Sequence, residues 1–445
     1  MAQAYLGLFV WLGFVDEIWR VTPGAGTPRL GEGILEVLLT VSVGTGLLFV
    51  GLASWGRRTG GSAQGLAERA FGARGASVLT GIGLGIAQLS IHALAIGFAV
   101  ETTLLGFLAC GLIAHQDLSP IAFGPIVTRP PVFLTTAAFW IFITSTAEGL
   151  GLAGVIAALM RVYAPTALVV ITAIGGWLAF QGSPHLEREV APLTTSADGS
   201  FARMMYGLLA VAAMAAPAWG RGAKSRRDVL IGAAIGIALP AAWVAIVALL
   251  AVLPSANQVT GPGLPPAGSF RFVILRELNP WVAAAALLSL GLAAVAPAYF
   301  ACHEYTQRIW DQGSPRKRKL TIWGGAGVAF LMVLPRPWLS LADVAGLLGE
   351  LVAPLIGAML AVSLDGRVDP PDSTPPVKAP GVVAWLVGSL LGLALDGFGR
   401  VFLFHRWIGE GAFPPAFSAF LAAFLVQRAL SRPSRLGKPQ ANRHN

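Results

Sequence analysis

Apolar residues in this chain come in long runs, not in a two-residue alternation. About twelve runs approach the roughly 20 residues a helix needs to cross a bilayer. They lie near residues 4–23, 32–55, 76–104, 130–148, 151–180, 202–219, 229–253, 272–306, 320–335, 338–363, 381–402 and 411–430, numbered here as spans 1 to 12. Turn-forming stretches such as TPGAGTPRLGEG, LPSANQVTGPGLPPAGS and DPPDSTPPVKAP separate them. The stretch 105–129 is apolar but broken by His115, Gln116, Asp117 and several prolines, and it reads as an extracellular excursion with a short interfacial helix. The pattern predicts an all-α polytopic membrane protein, and the first run reads as a retained span, not a signal peptide.

Composition strengthens that reading. Hydrophobic residues make up 55% and charged residues 12% of the 445 positions, about half the charge fraction of soluble domains. The net charge of +9 does not indicate nucleic acid, because the cations gather in alternate loops. One set holds Arg57, Arg58, Arg69 and Arg74, then Arg221, Lys224, Arg226 and Arg227, then Arg316, Lys317, Arg318 and Lys319, then Arg367 and Lys378. The opposite set holds scattered single residues such as Arg129, Arg188 and Arg336. By the positive-inside rule both termini face the cytoplasm of a cell membrane, with 431–445 as a cytoplasmic tail.

Catalytic chemistry has no motif here. The chain carries no H-E-x-x-H, G-x-S-x-G or P-loop, so it is not expected to be an enzyme or to hold a cofactor. Cys110 and Cys302 are far apart in apolar sequence, which implies neither a disulfide nor a metal site. The glycines of GIGLGIAQ sit inside an apolar run and read as helix packing. The polar residues inside spans are more informative: Asp16 and Glu17 in span 1, Gln88, Ser90, His92 and Glu101 in span 3, Arg161 in span 5, Tyr299, His303 and Glu304 in span 8, and Asp343 and Glu350 in span 10. Glu101, His303, Glu304 and Asp343 fall near span ends, at headgroup depth. Arg161 stands roughly 16–20 Å into the bilayer at 1.5 Å per residue. A guanidinium there keeps its proton and needs an anion or a wet cavity; it either finds Asp16 and Glu17 or pairs with Glu148 toward the cytoplasm.

Two stretches carry a family likeness: GRRTGGSAQGLAERAFGARGASVLTGIGLGIAQLSIHALAIG at 56–97 and WGRGAKSRRDVLIGAAIGIALPA at 219–241. Their R-T-G-x-S turn, R-x-F-G-x-R-G helix and R-D-V-L-x-G stretch, with A-P-L-I-G in span 10, resemble the nucleobase–cation symporter-1 family of cytosine and purine permeases. The resemblance implies a LeuT-like inverted-repeat transporter fold. Residues 1–180 (spans 1–5) and 202–363 (spans 6–10) would be inverted copies, and residues 381–430 (spans 11 and 12) additions. Spans 1 and 6 would break near the midplane, at Gly13 to Glu17 and near Pro217 and Gly220.

Carried over position by position, the family's substrate site falls on Glu17, Gln88, Ile91, His92, Tyr206, Leu208 and Tyr299. Ile91 and Leu208 replace the aromatics usual there. The sodium pocket falls on Gly13 and Asp16 of span 1 and on Leu290, Ala293 and Ala294 of span 8, which offer no side-chain oxygen. A hard cation wants five or six oxygens. In sodium-independent relatives of this fold a basic residue of span 5 takes the ion's place, which implies that role for Arg161 with Asp16 as partner. The expected function is secondary transport of a small nitrogenous solute by a monomer in the lipid bilayer, not coupled to sodium, with proton coupling through a carboxylate or no coupling. The alternative is a non-transporting sensor or scaffold that keeps the fold.

Overall fold

The computed structural model describes residues 30–118, 121–123, 126–186, 200–252, 270–309, 314–334, 341–364, 375–395 and 414–431. Span 1 lies outside the described residues. Among the described residues six helices are long and apolar enough to cross a membrane: Ile34–Thr59, Ala73–Ala109, Pro131–Gly149, Arg226–Ala251, Pro280–Ile309 and Val344–Ser363, on spans 2, 3, 4, 7, 8 and 10. Shorter apolar helices, Leu168–Leu178, Ala202–Ala213, Ala379–Leu395 and Pro415–Ser431, fall on spans 5, 6, 11 and 12. Pro315–Val333 covers span 9, its first turn loaded with lysine and arginine. The expected interfacial helix after span 3 is reduced to a 3-10 turn, His115–Leu118, followed by a small antiparallel ribbon of Ile121–Phe123 and Ile126–Thr128. Prolines 120 and 125 disfavour a helix there, and Ile121, Phe123, Ile126, Val127 and Thr128 suit strands.

Helix ends follow local chemistry. Gly60 leaves the second span with φ 65°, and Ser62 caps the next helix by accepting from the Gly65 N–H at 3.1 Å. Ser225 and Asp228 form a reciprocal capping box that starts span 7. Gly72, at φ 79°, lies against the carbonyls of Pro375 and Pro376. The Arg74 N–H donates to Pro376 O at 2.8 Å and the Lys378 N–H to Phe71 O at 2.8 Å, so the turn before span 3 is stitched to the start of span 11.

Two breaks have a shared cause. In span 6 the helix Ser200–Ala213 gives way to Ala216–Gly220. In span 8, Pro280–Ala293 gives way to Val295–Ile309. Pro217 and Pro297 have no N–H to offer the carbonyls four residues back, which are those of Ala213 and Ala293, the last residues of the first halves. Spans 2, 3 and 7 each contain a π-helical segment as well: Thr45–Val50, Ser77–Gly83 and Ala234–Ala238.

Packing relies on glycine. A Cβ on Gly207 of span 6 would strike the Ala345 carbonyl of span 10, and one on Gly349 would come 2.6 Å from the Gly207 Cα. Gly56 of span 2 lies on the backbone of Pro217, and Gly220 of span 6 on that of Ala53. Gly291 of span 8 fits against Thr102 and Thr103 of span 3. Gly357 meets Phe420 of span 12, and Gly388 of span 11 meets Ala419 of span 12 and Pro354 of span 10. Without water to drive apolar surfaces together, such close backbone approach is how helices in lipid gain contact.

Gly207→Val should therefore destabilise the protein by about 1–3 kcal/mol or more, as overpacked cores do. Thermal unfolding of the detergent-solubilised variant measures it. Gly97→Ala, at a position with open space around it, is the matched substitution and should leave the midpoint in place. An unchanged midpoint for Gly207→Val would mean that spans 6 and 10 do not meet there.

Candidate functional site

Of the predicted site residues, Gly13, Asp16 and Glu17 lie outside the described residues, as does the side chain of Arg161. The others divide. Gln88, Ile91 and His92 are buried on span 3, and Tyr299 is buried on span 8. His92 Nδ1 lies 2.7 Å from the Ala298 carbonyl, so the span 3 and span 8 residues share one seam. Leu290 and Ala293 are buried on the same half of span 8, and Ala294 sits at its break. The break withdraws the N–H that would have bonded Ala293 O.

Tyr206 does not join this group. Its ring lies 6.0 Å from that of Phe417 in span 12, and it crowds Gly44 of span 2, where a Cβ would be 3.3 Å from Tyr206 Cε1. The reason is helical phase: Gly207 must face span 10, which turns residue 206 toward spans 2 and 12. Leu208 is buried one position beyond Gly207, about 100° around the helix from it. Gly85 of the GIGLGIAQ stretch packs against Ile309, a helix-packing role.

The strongest polar constellation lies at the end of the seam where span 4 closes and span 9 opens. Glu148, in the last turn of span 4, has no exposed side-chain surface. Arg318 of span 9 reaches its Oε1 at 2.6 Å, and His303 Nδ1 of span 8 lies 3.0 Å from its Oε2. His303 Nε2 contacts the Gln307 amide at 2.9 Å, and the Tyr299 ring stacks on the imidazole at 6.3 Å. One buried carboxylate thus ties three spans. Both its oxygens are engaged, which leaves little of it for the alternative pairing with Arg161. His303 reads from sequence as a headgroup-level residue; here it is a partner of a buried acid. The signal was present in TSTAEG, an acid closing an apolar span, and in the PRKRK cluster that opens span 9, but nothing in either string names the other.

A second constellation closes the opposite end of span 3. Glu101 receives Arg271 Nη1 at 2.9 Å and Arg129 Nη2 at 3.2 Å. Arg271 lies over the Phe98 ring at 5.0 Å and Arg129 over Phe133 at 4.5 Å. Phe270–Glu277, the short helix that carries Arg271, is thereby fastened to span 3. A cleft beside it, between spans 5 and 8, is lined by Tyr163, Thr166, Ile174, Phe270, Ser289 and Leu290, with the Tyr163 hydroxyl donating to the Ser289 carbonyl. Among the described residues no cluster of His, Cys, Asp and Glu has the makings of a metal site.

A scan against protein-family models finds no match, and a search of curated proteins finds none. Solved structures do match, over nearly the whole chain. Mhp1, a nucleobase-cation-symport-1 family transporter, in a closed conformation with bromovinylhydantoin bound, is 15% identical; the match covers 96% of this chain and 90% of that one, with TM-score 0.59. The inward-facing conformation of Mhp1 is 14% identical, with 96% and 88% covered and TM-score 0.55. MhsT in complex with L-phenylalanine is 15% identical, with 96% and 95% covered and TM-score 0.54. The chain has the fold of these proteins, which is the fold that the resemblance to the symporter family implied.

The clasp on Glu101 makes a measurable claim. A double-mutant cycle with Glu101→Ala and Arg271→Ala should return a coupling of roughly 1 kcal/mol, because the carboxylate is 35% exposed and such pairs are weakened by water. Unfolding in detergent gives the numbers. Additive single effects would show that the two side chains do not work together.

Proposed function

We propose that this protein is a secondary transporter that moves a small nitrogenous solute, nucleobase-like or related, by alternating access and without sodium. The observation that carries the proposal is the pair of broken helices, spans 6 and 8, inside a fold shared over 96% of the chain with a transporter. Interrupted helices at depth expose backbone groups that a solute can bind. On this reading spans 1–5 and 6–10 are the inverted repeats, at residues 1–180 and 202–363. The π-helical segments in spans 2 and 7, which hold equivalent places in the two halves, support the division.

Leu290, Ala293 and Ala294 bring no side-chain oxygen, so sodium has fewer partners than the five or six it wants. Arg161 with Asp16 stands in for the ion, and Glu17 faces the solute path. The solute lies against Gln88, Ile91, His92, Leu208 and Tyr299, with Tyr206 behind rather than beside it. Both termini face the cytoplasm and the protein works as a monomer. The apolar replacements also favour a second reading, a sensor or scaffold that keeps the fold without transport.

Uptake into proteoliposomes separates the two. A hydantoin, L-phenylalanine and cytosine serve as first probes, the first two because structures of this fold hold bromovinylhydantoin and L-phenylalanine. Transport of a probe should proceed equally in sodium and in sodium-free choline medium; a sodium-dependent rate would overturn the coupling, and binding without uptake would favour the sensor. Cytosine should bind weakly, because a base–aromatic stack worth roughly 1–3 kcal/mol is missing at Ile91 and Leu208. Orientation has its own check. In a Cys110→Ser background, Lys224→Cys should resist an impermeant thiol reagent in intact cells while His115→Cys reacts; the reverse result would invert the topology.

A further inference from the structure

Three buried polar atoms make no hydrogen bond of normal geometry among the described residues: His92 Nε2 on span 3, Ser145 Oγ on span 4 and Tyr299 Oη on span 8. Interior polar groups left this way are uncommon and usually mark ordered water. Their neighbours define their chemistry. The Ala298 carbonyl only accepts, so His92 Nδ1 carries the ring proton and Nε2 presents a lone pair. Ser145 stands one turn from Glu148 and beside Cys302, whose sulfur lies 3.2 Å from the Tyr305 hydroxyl. The Tyr305 ring meets His92 edge-on at 5.9 Å. The Tyr299 hydroxyl lies beside Glu148. A row of acceptors and hydroxyls therefore runs from His92 to Glu148. Along span 8 it extends from Ala298 to His303, about 7.5 Å of helix.

The row ends at exposed side chains. Glu148 has no exposed surface, whereas Arg318 on it is 48% exposed and His303 is 26% exposed. The charged and titratable groups facing Glu148 are His303, Tyr299, Cys302 and Tyr305 from span 8 and Arg318 from span 9. Span 3 contributes His92 across the seam. Glu304, on the next position of span 8, is held by Arg308 at 2.8 Å.

We propose that the seam between spans 3, 4, 8 and 9 holds a short chain of water and forms a proton path that joins His92 to the Glu148–His303 pair. The proposal rests on the transport reading above and names its coupling ion. A proton on His92 Nε2 passes to the adjoining water. The Tyr299 hydroxyl accepts a proton from the chain as it donates its own onward, and a Glu148 oxygen takes up the last one. The neutral carboxyl loosens its hold on Arg318, and the proton leaves to cytoplasmic water directly or through His303. One proton enters at His92, one leaves at the mouth, and every group returns to its starting state. The path runs through spans 3, 4, 8 and 9, apart from the sodium-pocket positions of spans 1 and 8.

Infrared difference spectra of the full chain in lipid vesicles, stepped between about pH 3 and about pH 7, a window that reaches below the ordinary carboxylate range, test the path without a substrate. The wild type should show a carboxylic-acid carbonyl band that grows on acidification, with changes in the O–H stretch of weakly bonded water. Glu148→Gln should lose the band, and His92→Gln should keep it while losing the water signal. Should Glu148→Gln not fold, Glu148→Asp should shift the band and so assign it. Vesicles loaded with a pH dye and given bromovinylhydantoin supply the second readout: proton entry should accompany uptake in the wild type and be lost in Glu148→Gln and Tyr299→Phe. Uptake with no proton movement, or a band untouched by Glu148→Gln, overturns the path and leaves transport standing. If the probe is not taken up, the transport reading loses its support, and the infrared bands alone decide whether the seam carries protons.

Discussion

A carboxylate in hydrocarbon must bring its counter-charge with it, and that requirement governs how these helices are arranged. Leaving a buried acid unpaired costs several kcal/mol, enough to exceed most helix–helix contacts. Glu148 can be buried only where spans 8 and 9 deliver His303 and Arg318. Glu101 holds the short helix of Arg271 onto span 3. Glu350 of span 10, with no exposed side-chain surface, stands 3.7 Å from Arg203 Nε of span 6. Each acid thus fixes elements distant in the sequence. The specificity lies in direction and register, because a helix shifted by one residue would carry its cation about 100° away from the acid.

Glycine supplies what the charges do not. The ion pairs set which helices are neighbours, and the glycine faces set how near they come. Span 6 shows both: Arg203 reaches toward Glu350 while Gly207, one turn on, lies on the backbone of span 10. A larger residue at 207 would push the helices apart and stretch the ion pair beside it. Charge and close packing are in this sense one arrangement, read at two positions of the same helix.

Much of this was legible in the sequence, for reasons that can be stated. Long apolar runs and alternating basic loops reflect the bilayer directly, so spans were visible without any knowledge of packing. Pro217 and Pro297 break helices through a local effect, the loss of one N–H, and local effects are written in local sequence. Pairings are not. TSTAEG and PRKRK lie far apart in the chain, and only the fold brings Glu148 under Arg318. Tyr206 shows the same limit from the other side. Its direction on span 6 follows from Gly207, which lies on the backbone of span 10, and no local string records that contact. The small ribbon at 121–128 was missed because its apolar composition resembles that of a helix until the prolines are given full weight.

The interlock of Gly56 over Pro217 and Gly220 over Ala53 has a mechanical corollary. Two backbones that sit in each other's grooves cannot slip by a fraction of a turn without climbing over a carbonyl. The inner end of span 6 is therefore geared to span 2 and moves with it as one lever. Compliance is left to the adjoining turn at Met214 and Ala215, where bonds of 3.4 and 3.0 Å to carbonyls three residues back replace the α-helical ones. A displacement of this region would be taken up as rotation about that turn rather than as sliding between helices.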